Sequence, residues 1–542
     1  QPLPIHFGSS VRPLIRVDSH LGTWLQLLLA CSRGVNHFQS SSSSQSMRVY
    51  AVALIGVQAD LPVHCLRHEV SGSWTFHLSA PSSERSKCGH SSPDRSNHQP
   101  PISMDDYGTK LSVDLSAPNT ATSADNGMGS WTMVYDEAFE VRLGSKRFLA
   151  FSKFDESIPA DGNIQNYKSD CSATQVGWYR DEATNEYGCF VAEKAVKEAA
   201  APSVSGKMAS LFEDPSFLQT SEHDKITTQV MHQAHVDKIN SKKAGWTAKV
   251  YKHLVNKTVH ELNMHAGIPR AGVRKTQPHR HHGLSLIETE AHVRRSQEII
   301  SALPAGFDWL DKDGKNWVPR PINQGSCGSC YAVATVSMMT ARRRIQEQDP
   351  DAEQFSIEFP LFCSEYNQGC DGGYPNLIAH WSHDVGLVPE SCAKYDTDST
   401  QCSLSCDTKQ VDKWRVSDFG YVGGFYGAAN EANMMQEISS NGPVAVAIEP
   451  SDDFMYYSTG IYQHTSTLFK EWAKVDHAVL LTGWGEEDGQ KYWRVQNSWG
   501  EEWGEDGTFR IRRGVDESAI EAQPVWAAVE KVKDIPALSL YA

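Results

Sequence analysis

Between residues 72 and 154 apolar and polar side chains alternate in short runs: Trp74, Phe76 and Leu78; Leu111, Val113 and Leu115; Trp131, Met133 and Tyr135; Phe139, Val141 and Leu143; then the denser run Phe148 to Phe154. A period of two puts every second side chain on one face, which predicts half-buried strands. Asp125-Asn126-Gly127 and Leu143-Gly144-Ser145 supply turns. Residues 60 to about 195 therefore read as an antiparallel β-barrel or sandwich. From Lys194 an Ala/Pro/Ser stretch reads as a linker, and residues from about 205 to 302 are polar, histidine-rich and helix-compatible, ending in the basic segment Arg270 to His282. This region predicts a solvated, protease-sensitive spacer. His279, His281 and His282 have no thiolate or carboxylate at ligand spacing, so they read as linker and not as a metal site. After Leu303 the period changes. Val333, Val336 and Met339 recur at three-residue spacing and the run closes on Arg342 to Arg344, which predicts a helix with cations at its C-terminal end. Ala478 to Leu481 predicts a buried strand, Asp488-Gly489 a turn, and Tyr492, Trp493 and Val495 the return strand. The mixture is α+β.

The chain has 542 residues, enough for two or three domains, and a formal charge of −16, which argues against a nucleic-acid partner. Its 22 histidines would move that charge upward in an acidic compartment. Residues 1–46 are poorly patterned and include the Ser40 to Ser44 run, so they read as a leader outside the functional protein. Met47, the apolar run Val52 to Ile55 and the small-residue cleavage positions Val57 and Ala59 read as a secretory signal over 47–59, cut before Asp60. No apolar stretch reaches about 18 residues, so no membrane span is expected. Setting aside Cys31 of the leader leaves eleven of the 12 cysteines, an odd number that points to one reactive thiol and five bridges. Four cysteines fall between Cys65 and Cys189; Cys327 to Cys406 holds six more besides Cys330. Asn256-Lys257-Thr258 is a glycosylation acceptor.

Cys330 begins the expected helix, where unpaired N–H groups favour thiolate over thiol. A hairpin would bring His477 and Asn497 to one end. An amide oxygen accepting from one imidazole nitrogen would leave the other for the thiol, and Trp499 could shield that bond from water. Gln324, six residues before Cys330, could donate its side-chain amide to an oxyanion together with the Cys330 N–H. Each residue alone has an inert reading; together they point to nucleophilic catalysis.

Gln324-Gly325-Ser326-Cys327-Gly328-Ser329-Cys330-Tyr331, with His477 and Asn497 downstream, resembles the active-site signature of papain-like cysteine peptidases. Gly369-Cys370-Asp371-Gly372-Gly373 and Asn497-Ser498-Trp499-Gly500 resemble two further blocks of that family. Tyr331, the segment Tyr421 to Gly427 and Asn430-Glu431-Ala432 resemble its dipeptidyl-peptidase branch, as do Asp60 to Cys65, Gly72-Ser73-Trp74, Val176-Gly177-Trp178 and Gly188-Cys189-Phe190 in the first half. Lys238-Ile239-Asn240 and Trp246-Thr247-Ala248 resemble its excised propeptide.

The resemblance implies an exclusion β-barrel domain over 60–197, a partly helical propeptide over 198–302, and a two-lobed catalytic domain over 303–542, one lobe helical and one β-barrel-like. It implies bridges Cys65 with Cys171, Cys88 with Cys189, Cys327 with Cys370, Cys363 with Cys402, and Cys392 with Cys406; spacing alone leaves the pairing open. It assigns Asp60 to the substrate's free amino group and places Gly372, Gly373 and Trp499 with substrate. No cofactor or metal is required. Relatives hold a chloride ion with a tyrosine where this chain has Asn376, so chloride dependence is in doubt. The implied activity is release of dipeptides from free N-termini of peptides and proteins through a thioester, in the secretory pathway, a lysosome-like compartment or outside the cell. An activating protease and self-association are further implied partners. A papain-like endopeptidase with a long pro-region is the alternative. Gly72-Ser73-Trp74 also resembles the first strand of lipocalin-type carriers, which leaves a non-catalytic binding protein as a third reading.

Overall fold

The computed structural model describes residues 65–94, 100, 103, 106–154, 168–195, 233–255, 268–269, 286–396, 401–450, 453–465, 475–535, 537–538 and 541. The leader, the signal segment, Asp60, the acceptor Asn256 and His279, His281 and His282 lie outside them.

The first part opens with a short helix α1 (Arg67–Val70) and nine strands: β1 (Gly72–Leu78), β2 (Thr109–Ser116), β3 (Thr120–Ser123), β4 (Gly127–Val134), β5 (Ala138–Leu143), β6 (Lys146–Phe154), β7 (Ser169–Thr174), β8 (Gly177–Asp181) and β9 (Glu186–Lys194). Strands β1 to β6 form an antiparallel meander. Strand β6 also pairs with β8, β8 with β9, and β9 returns to β1 in the register Trp74↔Lys194 to Leu78↔Phe190. Eight strands thus close into a barrel, and β7 bridges β6 and β9 at the seam. Closure removes the unpaired edges that an open sandwich would leave, and it decides between the two architectures that alternation allowed. Phe76, Phe148 and Phe190 fill the interior with centroids 5.1 to 5.3 Å apart. Tyr135 departs from the strand pattern: it sits in the β4–β5 turn at φ +57°, a backbone region that disfavours a bulky side chain.

The second part comprises α2 (Gln233–Ser241), β10 (Trp246–Ala248), β11 (Ile268–Pro269), α3 (Leu286–Ala302), β12 (Phe307–Asp308), α4 (Cys330–Glu347), α5 (Glu358–Cys363), α6 (Pro375–Val385), β13 (Lys413–Tyr421), α7 (Glu431–Asn441), β14 (Val444–Ile448), β15 (Tyr457–Tyr462), β16 (Val475–Glu487), β17 (Gln490–Gln496), β18 (Thr508–Arg512) and β19 (Val525–Val532). Its sheet runs β10-β15-β18-β17-β16-β14-β19-β13. Helix α4 is buried from Cys330 to Arg342; its small and apolar residues let it pack closely against the sheet. Helix α6 starts with Pro375 at its first turn and stops at Gly386, whose φ of +100° suits glycine.

The spacer expectation fails for residues 233–255. Val236 and Ile239, one turn apart on α2, are buried with Trp246, Tyr251 and Leu254 in the core of the second part. Strand β10 pairs with β15, and the Tyr251 hydroxyl accepts from the Gly504 N–H at 2.7 Å. A few dispersed apolar residues anchor an otherwise polar segment.

Among the described residues five disulfides are formed: Cys65–Cys171, Cys88–Cys189, Cys327–Cys370, Cys363–Cys402 and Cys392–Cys406. They are the pairs implied by the resemblance, two in the barrel and three in the second part. Cys330 is the one cysteine among the described residues outside a disulfide. The two parts meet through buried charge: Arg85 pairs with Glu365, Arg180 with Asp384, and Glu140 with His380. Among the described residues no helix is long and apolar enough to cross a membrane.

Candidate active site

Hairpin β16–β17 turns at Asp488 and Gly489, both at positive φ (+50° and +78°), the backbone that a two-residue hairpin turn requires. The pairing Leu480↔Gln496 then sets His477, near the start of β16, beside Asn497, just past the end of β17. Their side chains are 2.7 Å apart, His477 Nε2 to Asn497 Oδ1. The Ser498 N–H donates to the same Oδ1 at 2.8 Å. An atom that accepts from a backbone N–H is the amide oxygen, so His477 Nε2 carries a hydrogen and donates it. The ring is thereby oriented, with Nδ1 as the remaining proton acceptor.

Helix α4 enters from the other side. Cys330 is its first residue, and the Ala478 N–H points at the Cys330 sulfur from 3.4 Å. The sulfur therefore lies against the backbone of the residue that follows His477. Trp499 stacks on the His477 ring, centroids 5.0 Å apart and planes 27° apart, and Phe454 and Trp503 close around it. Trp499, buried in this form as Cys330 and His477 are, keeps water from the His477–Asn497 bond.

Gln324 is pinned at three points. Its N–H donates to the Ser498 carbonyl at 2.9 Å, its Oε1 accepts from the Ser498 hydroxyl at 2.5 Å, and its Nε2 donates to the Cys327 carbonyl at 2.9 Å. An amide nitrogen has two hydrogens, so one remains to be given. Ser498 escaped sequence reasoning as a separate contributor, although it lies inside a quoted block; only the fold reveals that it orients Gln324. The Cys327–Cys370 bridge and the bond from Gly328 N–H to the Cys370 carbonyl hold the same loop.

A small cleft beside His477 is lined by Gly373, Pro375, Asn376, Ala447, Ala478 and, from the barrel, Tyr135. Gly373 has no room for a side chain: a Cβ would stand 2.3 Å from Asn367 and 2.6 Å from the Tyr331 ring. Gly372 is at φ +129°, a backbone region that favours glycine. The Tyr135 and Tyr374 rings meet at a tilt, centroids 4.9 Å apart, and the Tyr374 hydroxyl donates to the buried barrel carboxylate Glu137 at 2.5 Å. Asn376 is buried near Tyr421, whose phenol is pushed well up by burial. Ile268 and Pro269 of β11 pair with Asp476 and Val475, next to His477, and Cys330 and His477 are both fully buried in this form. No group of three or more metal-ligating side chains is placed to hold an ion among the described residues.

The structure thus brings Cys330, His477, Asn497, Gln324, Trp499 and the two glycines together, while Asp60 lies outside the described residues. Comparison with known proteins extends this. Residues 303–528 match the papain family cysteine protease model, and residues 60–194 match the cathepsin C exclusion domain model. The chain is 31% identical to cathepsin C of Schistosoma mansoni over 86% of its own length and 94% of that protein's. It is 24% identical to dipeptidyl aminopeptidase 1 of Plasmodium falciparum over 86% and 93%. Cathepsin B-like CP2 of Giardia intestinalis is 33% identical over only 41% of this chain, although 73% of that protein is covered. The barrel is what the first two comparisons add. The chain belongs to the papain family of cysteine peptidases, in the cathepsin C branch that carries an exclusion domain.

Proposed function

We propose that the chain removes dipeptides from the unblocked N-termini of peptides and proteins, with Cys330 as nucleophile. The Cys330 thiolate attacks the second peptide carbonyl and forms a carbon–sulfur bond. The Cys330 N–H and the remaining amide hydrogen of Gln324 stabilise the oxyanion. Protonated His477 gives its Nδ1 proton to the departing amine, which breaks the carbon–nitrogen bond and leaves a thioester. Water then attacks the thioester as His477 takes its proton, the carbon–sulfur bond breaks, and the dipeptide leaves. Asn497 holds the ring throughout.

One observation carries the exopeptidase reading: Tyr135 of the barrel shares a cleft with Gly373 and His477. A barrel residue in that cleft supports a limit on how far a substrate extends before the scissile bond, and Asp60, the first residue after the expected signal cut, is assigned to the substrate's ammonium. A carboxylate in a partly dry cleft loses about 1 to 3 kcal/mol when its cationic partner is blocked. No step is routed through chloride: where relatives have a tyrosine this chain places the buried Asn376 amide. The pairing of β11 beside His477 supports a zymogen opened by an activating protease, and five disulfides support a secretory or endolysosomal location. The test compares a free-amine dipeptide amide with its acetylated twin on the processed protein. Turnover of the free amine alone is expected, and none by Cys330→Ala; equal turnover of the twins would make the enzyme an endopeptidase.

A further inference from the structure

Ser329 occupies the N-cap of α4, where a serine side chain ordinarily accepts from a first-turn N–H. It makes no such bond. Its hydroxyl lies instead 2.5 Å from the hydroxyl of Tyr395, and Tyr395 donates to the Gln324 carbonyl at 3.3 Å. A phenol has one hydrogen; with that hydrogen on Gln324, Ser329 is the donor in the short bond. One phenol therefore ties the residue immediately before the nucleophile to the backbone of the residue assigned to the oxyanion. Tyr395 is itself held by its N–H on the Glu390 carboxylate at 2.9 Å and lies close to the Cys392–Cys406 bridge in sequence. Burial pushes its phenol up, so it stays a donor across the working range.

We propose that Tyr395 is a positioning residue for the nucleophile: it draws the Ser329 hydroxyl off the N-terminus of α4 and fixes the Gln324 carbonyl, so that the first turn of the helix acts on the Cys330 sulfur and the oxyanion. The inference rests on Cys330 being the nucleophile. A capping hydroxyl would take part of the positive potential of that turn for itself. The ionisable groups facing this corner are Cys330, His477 on β16, Glu358 on α5 and Glu390, which accepts from the Tyr395 N–H. All four are kept in the variants below, so a shift reports the hydroxyl.

The experiment uses the processed full chain as wild type, Tyr395→Phe, and Tyr395→Phe with Ser329→Ala. The pH dependence of iodoacetamide alkylation at Cys330 is read beside kcat and KM on a free-amine dipeptide amide. Tyr395→Phe keeps the ring and releases Ser329 to cap. The alkylation midpoint is expected to rise by about half a pH unit and kcat to fall several-fold, with KM little moved. Removing the competing hydroxyl in the double variant should return the midpoint to the wild-type value. An unmoved midpoint in Tyr395→Phe overturns the proposal, as does a double variant that stays shifted, because packing alone then explains the loss. Alkylation that persists in Cys330→Ala overturns the nucleophile assignment instead, so the two failures are told apart.

Discussion

His477 and the pair His380 and His383 are all buried, but their neighbours differ in charge. The Nε2 of His477 meets the neutral amide of Asn497. His380 stands 3.2 Å from Glu140 and 3.7 Å from Asp384, and His383 stands 3.2 Å from Glu182 and 3.1 Å from Asp384. Burial would push the Glu140 carboxyl up, yet Arg142, His380 and Arg147 hold it well below the usual range; Asp384 is held down against burial by His383, His380 and Arg180. His380 and His383 thus stand against fixed anions, whereas an amide orients the His477 ring without placing a charge beside it. The first arrangement suits a joint and the second suits proton transfer. Glu140 on β5 and Glu182 after β8 belong to the barrel, and both histidines to α6, so the charged arrangement sits where the two parts of the chain meet.

Removing one partner from the joint gives the largest effect expected from this contrast. His380→Gln leaves Glu140 buried with only its arginines, and breaking a buried pair costs several kcal/mol when nothing else compensates. With Arg142 and Arg147 still present, the loss is on the order of 2 kcal/mol, read as a lower urea midpoint at acidic pH with kcat unchanged. A midpoint equal to wild type would mean that His380 contributes no charge to the junction.

Asn497→Asp makes the catalytic histidine resemble the structural ones. A carboxylate beside Nε2 stabilises the imidazolium, so the alkaline limb of the pH–rate profile should move upward while proton delivery to the leaving amine slows. A fall of about tenfold in kcat is expected, about 1.4 kcal/mol. If the profile does not move, the neutrality of Asn497 has no bearing on the histidine's work.

The two settings were also unequally legible in the sequence. The catalytic one is local in pattern: a strand opening with Asp476-His477, a turn at Asp488-Gly489 and a return strand ending before Asn497 can be read in order, and Gly-Ser-Cys at a helix start marks Cys330. The joint is not. His380 and His383 lie on an ordinary-looking helix beside Asp384, and their barrel partners Glu140 and Glu182 stand 240 and 201 residues earlier, in a strand and a strand end whose alternation says nothing about what they face. Barrel closure is hidden for the same reason, since β1 and β9 pair across the whole first part. Residues 233–255 look solvated because Val236, Ile239 and Trp246 are spread among polar neighbours. Tyr395 carries no local signal at all.

The smallest expected effect tests the sign of the joint's response to acid. A hydrogen bond from His383, opposed by burial and aided by Arg147, lowers the Glu182 carboxyl to about 2. A folded value below the unfolded one means that the group stabilises the folded state above the unfolded carboxylate pKa of about 4.3. That contribution is lost as pH falls through about 2. The side chain is 42% exposed, so solvent screening keeps the contribution under about 1 kcal/mol. Glu182→Gln should therefore unfold slightly earlier in urea at pH 6, and the gap to wild type should narrow from about pH 4.3 downward and close near pH 2. A gap that stays constant over that range would trace the loss to packing and detach Glu182 from the charged junction, leaving His383 to act through Asp384 alone.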